Sequence, residues 1–222
     1  MPTVSAGFVA VMEDVLDLYA EDYDPQYPTV CLDEKPVVLH TQPRPPLPPA
    51  PRRRERRDYE YVRQGTADLF VLVEPLAGWR HVAVTERRTR KEFAEQLRYL
   101  GEDWYPDVEY VRLVVDSLNT LVPAALYETF LPDRARAILE RIEFHYTPKH
   151  GSWLNMAEIE ISVFERGCLS RPVGDLPTLR RRVAALEAER NATQATIDWQ
   201  FTSQHARAKL AQLYPDTKTS PD

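Results

Sequence analysis

Apolar residues recur at helical spacing near the start of the chain, at Phe8, Met12, Val15, Leu16 and Tyr19. That spacing predicts a short amphipathic helix, broken further on by Asp24, Pro25 and Pro28. The pattern then changes to short unbroken apolar runs. Val30-Cys31-Leu32 reads as a short strand ending at Asp33-Glu34-Lys35-Pro36, and Leu69 to Val73 as a strand covered on both faces. His81 to Val84 reads as the hairpin partner of that strand across a turn at Leu76-Ala77-Gly78. Thr89 and Glu92 have capping-box spacing ahead of a stripe of Phe93, Leu97 and Leu100. Val111 to Val115 predicts another buried strand, ending at Asp116, and Ile142 to Tyr146 the last one, with a short helix near Pro123 to Phe130 between them. Helices are predicted over Asn155 to Glu165 and over Pro177 to Arg190, the second with Leu179, Val183 and Leu186 on one face. Strands alternating with helices predict an α/β sheet with covered faces, and the heaviest burial is expected in Leu69–Val73 and Val111–Val115.

Composition narrows this picture. A chain of 222 residues, 43% apolar and 28% charged, suits one domain of ordinary size plus an appendage. With 19 prolines and 7 glycines the loops are stiff. One of them, the proline-rich stretch Pro43 to Pro51, runs into the basic segment Arg52-Arg53-Arg54-Glu55-Arg56-Arg57, and loops of that length tend to be functional. The net charge of −6 argues against a simple DNA-coating protein. The charge is uneven, however: Glu13 to Asp24 holds six acids and no base, while Arg52–Arg57, Arg87–Lys91 and Arg180–Arg182 are basic. An acidic protein can still work on nucleic acid if its site gathers carboxylates for metals and its rim gathers arginine. Two cysteines, Cys31 and Cys168, fit a reducing compartment. No apolar run is long enough to span a membrane and no signal pattern opens the chain, so a cytoplasmic protein without membrane contact is expected.

The carboxylates carry the candidate chemistry. Asp33 and Asp116 each follow an apolar strand, and sites in open α/β sheets gather at the carboxyl ends of strands. Glu158 lies early on the helix after the last strand, within reach of the same point. Three converging carboxylates repel one another unless a cation sits between them, and oxygen-only ligands favour hard cations such as Mg²⁺ or Mn²⁺. Two such ions about 4 Å apart can clamp the attacking and leaving oxygens of an in-line phosphoryl displacement. Plainer readings also fit the pattern: Asp33 as a strand end, Asp116 as a turn residue, and Glu158 as the partner of Asn155 in a capping box.

Three blocks carry a resemblance that chooses among these readings. The segment from Glu143 through His145-Tyr146-Thr147-Pro148-Lys149-His150-Gly151-Ser152-Trp153-Leu154-Asn155-Met156-Ala157-Glu158 to Glu160 resembles the third catalytic block of bacterial insertion-sequence transposases related to mariner, the insertion sequence six-thirty family. Leu32-Asp33-Glu34-Lys35-Pro36 resembles their first block and Val114-Val115-Asp116-Ser117-Leu118-Asn119-Thr120 their second. The resemblance implies a ribonuclease H-like fold, as in retroviral integrases: a mixed five-stranded sheet flanked by helices, with a C-terminal helical appendage. It divides the chain into an N-terminal helix and linker (1–25), a DDE catalytic core (26–166) and a C-terminal helical extension (167–222). It implies a triad of Asp33, Asp116 and Glu158 holding two divalent ions, Mg²⁺ or Mn²⁺. Glu160 is the rival for the third place, but the two acids leave the helix about 200° apart, so only one can face the metals.

By the same resemblance, the metals activate water to cut a strand at the transposon end, and the freed 3′-hydroxyl attacks target DNA. Double-stranded DNA is the implied partner and a homodimer the implied assembly, acting at the bacterial nucleoid. Lys149, His150, Arg52, Arg53 and Arg54 are the candidate contacts to phosphate, with solvated charge as the competing reading. Trp153 reads as a hydrophobic anchor or a stacking surface, His145 as a core or turn residue, and Cys31 as a small buried apolar residue. Two departures from the family pattern stand out: Ser117 replaces an asparagine and Leu121 a histidine. Members also carry helix-turn-helix domains ahead of the catalytic core, and this chain begins just before that core, which predicts a fragment, a decayed copy or half of a split gene. The alternatives are a remnant that binds DNA or dimerises without cutting, a ribonuclease H-like nuclease on another nucleic acid, and a two-carboxylate glycosidase, which metal dependence would exclude.

Overall fold

Strands β1 (Thr29–Thr41), β2 (Val62–Glu74), β3 (Trp79–Thr85), β4 (Val111–Asp116) and β5 (Ile142–Thr147) form one mixed sheet in the spatial order β3-β2-β1-β4-β5. The computed structural model describes residues 6–41, 61–116 and 122–215. β2 runs antiparallel to both β1 and β3, while β1, β4 and β5 are mutually parallel. Parallel neighbours need crossovers, and the helices that supply them are α2 (Arg90–Arg98), α3 (Ala124–Thr129) and α4 (Pro132–Leu139).

Side-chain alternation assigns each face of the sheet its cover. Val30, Leu32, Phe70, Leu72, Leu113 and Val115 point to one face and pack against Phe93 and Leu97 of α2, Leu126 of α3 and Ile138 of α4. Cys31, Val37, Leu39, Val71, Val73 and Val114 point to the other. That face is covered by α1 (Ala6–Tyr19), α5 (Ala157–Gly167), α6 (Leu176–Ala192) and α7 (Ser203–Lys209), through Leu16, Phe164, Leu179 and Ala206. The two runs expected to be most buried are so: Leu69–Val73 and Val111–Val115 lie on the inner strands β2 and β4, with all but the half-buried Arg112 buried. The capping box at Thr89 and Glu92 is formed as its spacing predicts. Helices α4 and α7 were not anticipated, being short and polar on their outer faces.

The edge strand β3 is closed by side chains rather than by another strand. Asn191 of α6 accepts the Arg80 N–H (2.9 Å) and donates to the Arg80 carbonyl (2.8 Å), and Glu187 accepts from the Val82 N–H (3.2 Å). This satisfies donors that an open edge would offer to other chains. The preceding turn depends on Gly78, whose φ of 68° and close approach to the Gln194 backbone, 2.4 Å from where a Cβ would sit, exclude any larger residue.

One expectation fails in a way that matters for the site. Asp33 does not end its strand. β1 continues eight residues past it to Thr41, paired throughout with β2. The sequence pattern ends the strand at Asp33-Glu34-Lys35-Pro36, yet β1 loses its β4 neighbour after Leu32 and becomes an edge there, where the missing N–H of Pro36 is tolerated.

Candidate active site

Asp33 sits where the sheet splits. The parallel register of β1 and β4 runs Cys31 to Val114 and Leu32 to Val115, so the next step sets Asp33 beside Asp116 as the two strands part. Both acids fall on the face covered by α5, because Asp33 alternates with Leu32 and Asp116 with Val115. β4 also pairs with β5, Asp116 opposite Thr147, and the Thr147 hydroxyl donates to Asp116 Oδ1 at 2.7 Å. Thr147 is buried, so this bond holds the Asp116 carboxylate in a fixed orientation.

The third acid arrives on a helix whose start is fastened to the first strand. Asn155 is fully buried; its Nδ2 donates to the Leu32 carbonyl (2.9 Å), immediately before Asp33, and its Oδ1 accepts from the Ala157 N–H (3.1 Å) at the first residue of α5. The capping box that stood as the plainer reading of Asn155 and Glu158 is therefore not formed. Met156, the N-cap residue itself, makes no side-chain cap, and Glu158 is exposed with its carboxylate free of that duty.

Electrostatics tie the three acids together. Asp33 is 6% exposed. Its burial, followed by the negative charges of Asp116, Glu158 and Glu34, raises its pKa to about 7, against the single opposing bond from the Glu34 N–H (2.7 Å). Glu34 faces the other side of β1; burial lifts its pKa to about 7 as well, but the Arg88 guanidinium lies 3.2 Å away and opposes the rise. Among the described residues no three of histidine, cysteine, aspartate and glutamate stand close enough to form a finished cation cage. Asp116 and Glu158 are nonetheless near enough to act on Asp33, and an all-carboxylate donor set is the chemistry that hard divalent cations take.

Glu160, the rival, is occupied elsewhere. It is fully buried, bonded in bidentate fashion by Arg190 (2.6 and 2.9 Å) and placed 3.1 Å from Arg80 Nε. Lys149 and His150 are exposed on the turn Pro148–Gly151, where His150 has φ of 68°. Arg52, Arg53 and Arg54 lie outside the described residues, as do Ser117, Leu121 and the Pro43–Pro51 loop. Trp153 is 44% exposed with its ring edge-on to Phe201, so it is less an anchor than expected. His145 is half-buried and paired with Asp14 of α1 at 2.8 Å. Cys31 is buried, which pushes its thiol up to about 12. Thr147 and Asn155 escaped the sequence reading. Both sit within the third block, but only their partners, Asp116 and Leu32, more than 30 positions away in the chain, reveal what they do.

Among solved structures, the chain is similar to the Mos1 strand transfer complex, with a TM-score of 0.61 at 11% identity over 95% of this chain and 62% of that one. It is also similar to the Mos1 mariner paired end complex with Mn, with a TM-score of 0.57 at 12% identity over 95% of this chain and 64% of that one. The chain thus spans under two thirds of the length of these structures. At such low identity the likeness establishes the fold: the ribonuclease H-like α/β architecture, with its mixed five-stranded sheet, is that of Mos1 transposase. No curated protein matches the sequence. No helix among the described residues is long and apolar enough to cross a membrane. The DDE superfamily endonuclease model matches residues 28–180, a span that takes in β1 with Asp33, β4 with Asp116 and α5 with Glu158, and the chain belongs to that family.

Proposed function

We propose that the chain is the catalytic part of a DNA transposase of the mariner-related insertion sequence six-thirty family, cutting DNA at transposon ends and joining it to a target. What carries this reading is the register that sets Asp33 beside Asp116 where β1 and β4 part, with Glu158 near enough to act on Asp33, whose pKa burial and these acidic neighbours raise to about 7. Such an arrangement is costly in a folded protein unless a cation compensates it.

Asp33, Asp116 and Glu158 would hold two divalent ions, Mg²⁺ or Mn²⁺. Bound there, such ions neutralise the phosphoryl charge and activate an oxygen nucleophile. The residues around them supply position. Asp33 is rigid within a long strand, Thr147 orients Asp116, and Asn155 ties the start of α5 to the carbonyl before Asp33. Glu158, exposed on the first turn of α5, closes the set from the solvent side. Lys149 and His150, exposed on the turn that leads into α5, would meet the DNA phosphates, and the Arg52–Arg57 run of the sequence would add further backbone contacts. Duplex DNA is the substrate, a homodimer holding two ends is the assembly, and the bacterial cytoplasm is the setting. The Mos1 structures described above are a strand transfer complex and a paired end complex with Mn, and that kinship supports the reading.

The test is cleavage of an end-labelled DNA duplex with Mn²⁺, Mg²⁺ or EDTA, beside Asp116→Asn. Metal-dependent cutting that falls by roughly a thousandfold or more in the variant is expected, since the clamp supplies several kcal/mol. Cutting that persists in EDTA or in Asp116→Asn would refute the proposed site.

A further inference from the structure

Glu158 and Glu160 are two residues apart on α5 and leave it about 200° apart. Whatever fixes one of them therefore fixes the direction of the other. Glu160 is fixed from two sides. Arg190 of α6 grips both of its oxygens, Nε to Oε1 at 2.6 Å and the second guanidinium nitrogen to Oε2 at 2.9 Å. Arg80 of β3 lies behind it, Nε 3.1 Å from Oε1, near enough for an ion pair though not aligned as a hydrogen bond. The Arg80 and Glu160 side chains are both fully buried.

Arg80 is itself immobile. Its terminal nitrogens donate to the Gly78 carbonyl (2.8 Å), to Asn191 Oδ1 (3.3 Å) and to the Ala195 carbonyl, on the hairpin turn and at the end of α6. The same Asn191 bonds the Arg80 backbone in both directions. Glu160 is thus tied to a frame made of β3 and α6, both already packed on the sheet.

Stability alone does not account for such a network. A buried ion-pair cluster is often no more stabilising than apolar residues of the same volume, whereas it is far more directional. α5 has 11 residues, and its buried apolar contacts, Ala157, Ile161 and Phe164, are non-directional. Glu160 lies on that same buried face, about 60° from the mean direction of the three, and its bidentate fork settles the rotation that those contacts leave loose. We infer that the Arg80–Glu160–Arg190 network is a positioning device that sets the rotation of α5 and so aims Glu158 at Asp33 and Asp116. The inference rests on the metal-site reading above.

Arg190 is the accessible handle, its side chain being 21% exposed. In Arg190→Met, Mn²⁺ affinity measured by EPR on DNA-free protein should fall roughly 10- to 100-fold, the range seen when outer supports of metal ligands are lost. Amide exchange across α5 should speed up in metal-free protein, and kcat for duplex cleavage should fall while KM is unchanged. Arg190→Lys should recover part of the loss, because it restores the charge without the fork. If Arg190→Met does not fold, Arg190→Lys carries the comparison alone, with an intermediate loss expected. Either variant, folded, with Mn²⁺ affinity within about twofold of the unsubstituted protein and unchanged α5 exchange, overturns the inference. Failure of the unsubstituted protein to bind Mn²⁺ at all would instead sink the metal-site reading, and the inference with it.

Discussion

Two buried acids stand in opposite surroundings. Asp33, on β1, has acids for neighbours, and its pKa is driven up by burial and then by Asp116 and Glu158. Glu160, on α5, is more deeply buried yet is met by two arginines, Arg80 and Arg190. Burial is therefore not what separates a candidate site from a structural pair. The sign of the neighbours is: a compensated carboxylate belongs to the architecture, and an uncompensated one awaits a positive charge. Glu34, back to back with Asp33 on β1, makes the same point, since it is raised to about 7 by burial but has Arg88 beside it.

The largest effect that would break this contrast is at the compensated end. Glu160→Ala leaves Arg80 buried without its partner and should cost about 3–5 kcal/mol in urea unfolding. A loss below about 1 kcal/mol would mean that the network holds little together. At the uncompensated end, a saturating cation should stabilise the fold. Mn²⁺ at about 100 times its dissociation constant should add roughly 2.7 kcal/mol, visible as a melting point several degrees higher. That gain should vanish in Asp33→Asn; an equal gain there would place the cation elsewhere.

A smaller effect is expected where the two acid-bearing elements are joined. Asn155→Ala removes the tie between α5 and the Leu32 carbonyl and should weaken Mn²⁺ binding about 10- to 100-fold. Unchanged affinity in a folded variant would reduce Asn155 to a packing residue. The smallest concerns a buried acid of a third kind, Glu74, whose pKa is raised by burial although Tyr105 donates to it at 2.7 Å. Because the folded state holds this proton more tightly than the unfolded chain, stability should decline as pH rises from the ordinary glutamate range through the raised value. Glu74→Gln should flatten that decline in melting curves taken across pH, and an unchanged slope would remove Glu74 as its source.

Much of this was legible in the chain. The apolar runs located all five strands: the inner ones are apolar at nearly every central position because both faces are covered, and the edge strands β3 and β5 keep enough apolar positions to be read. The three motif blocks pointed to Asp33, Asp116 and Glu158; helix geometry showed that Glu158 and Glu160 cannot both face the metals, and the resemblance chose Glu158. The length of β1 was not legible at Asp33-Glu34-Lys35-Pro36, since polar residues and a proline argue against an inner strand but not against an edge, and only the sheet order shows that β1 becomes an edge there. The capping-box alternative at Asn155 fell for a related reason: its spacing is local, but the Asn155 amide found its partner 123 positions away, on β1. Local periodicity and motif order thus settled the elements and the acids they carry, because both depend on neighbours in sequence. Which acid is compensated, which is left bare, and which face α5 presents depended on Arg80, Glu160 and Arg190 meeting across the fold, and charge pairing at that range exists only once the sheet and its helices have packed.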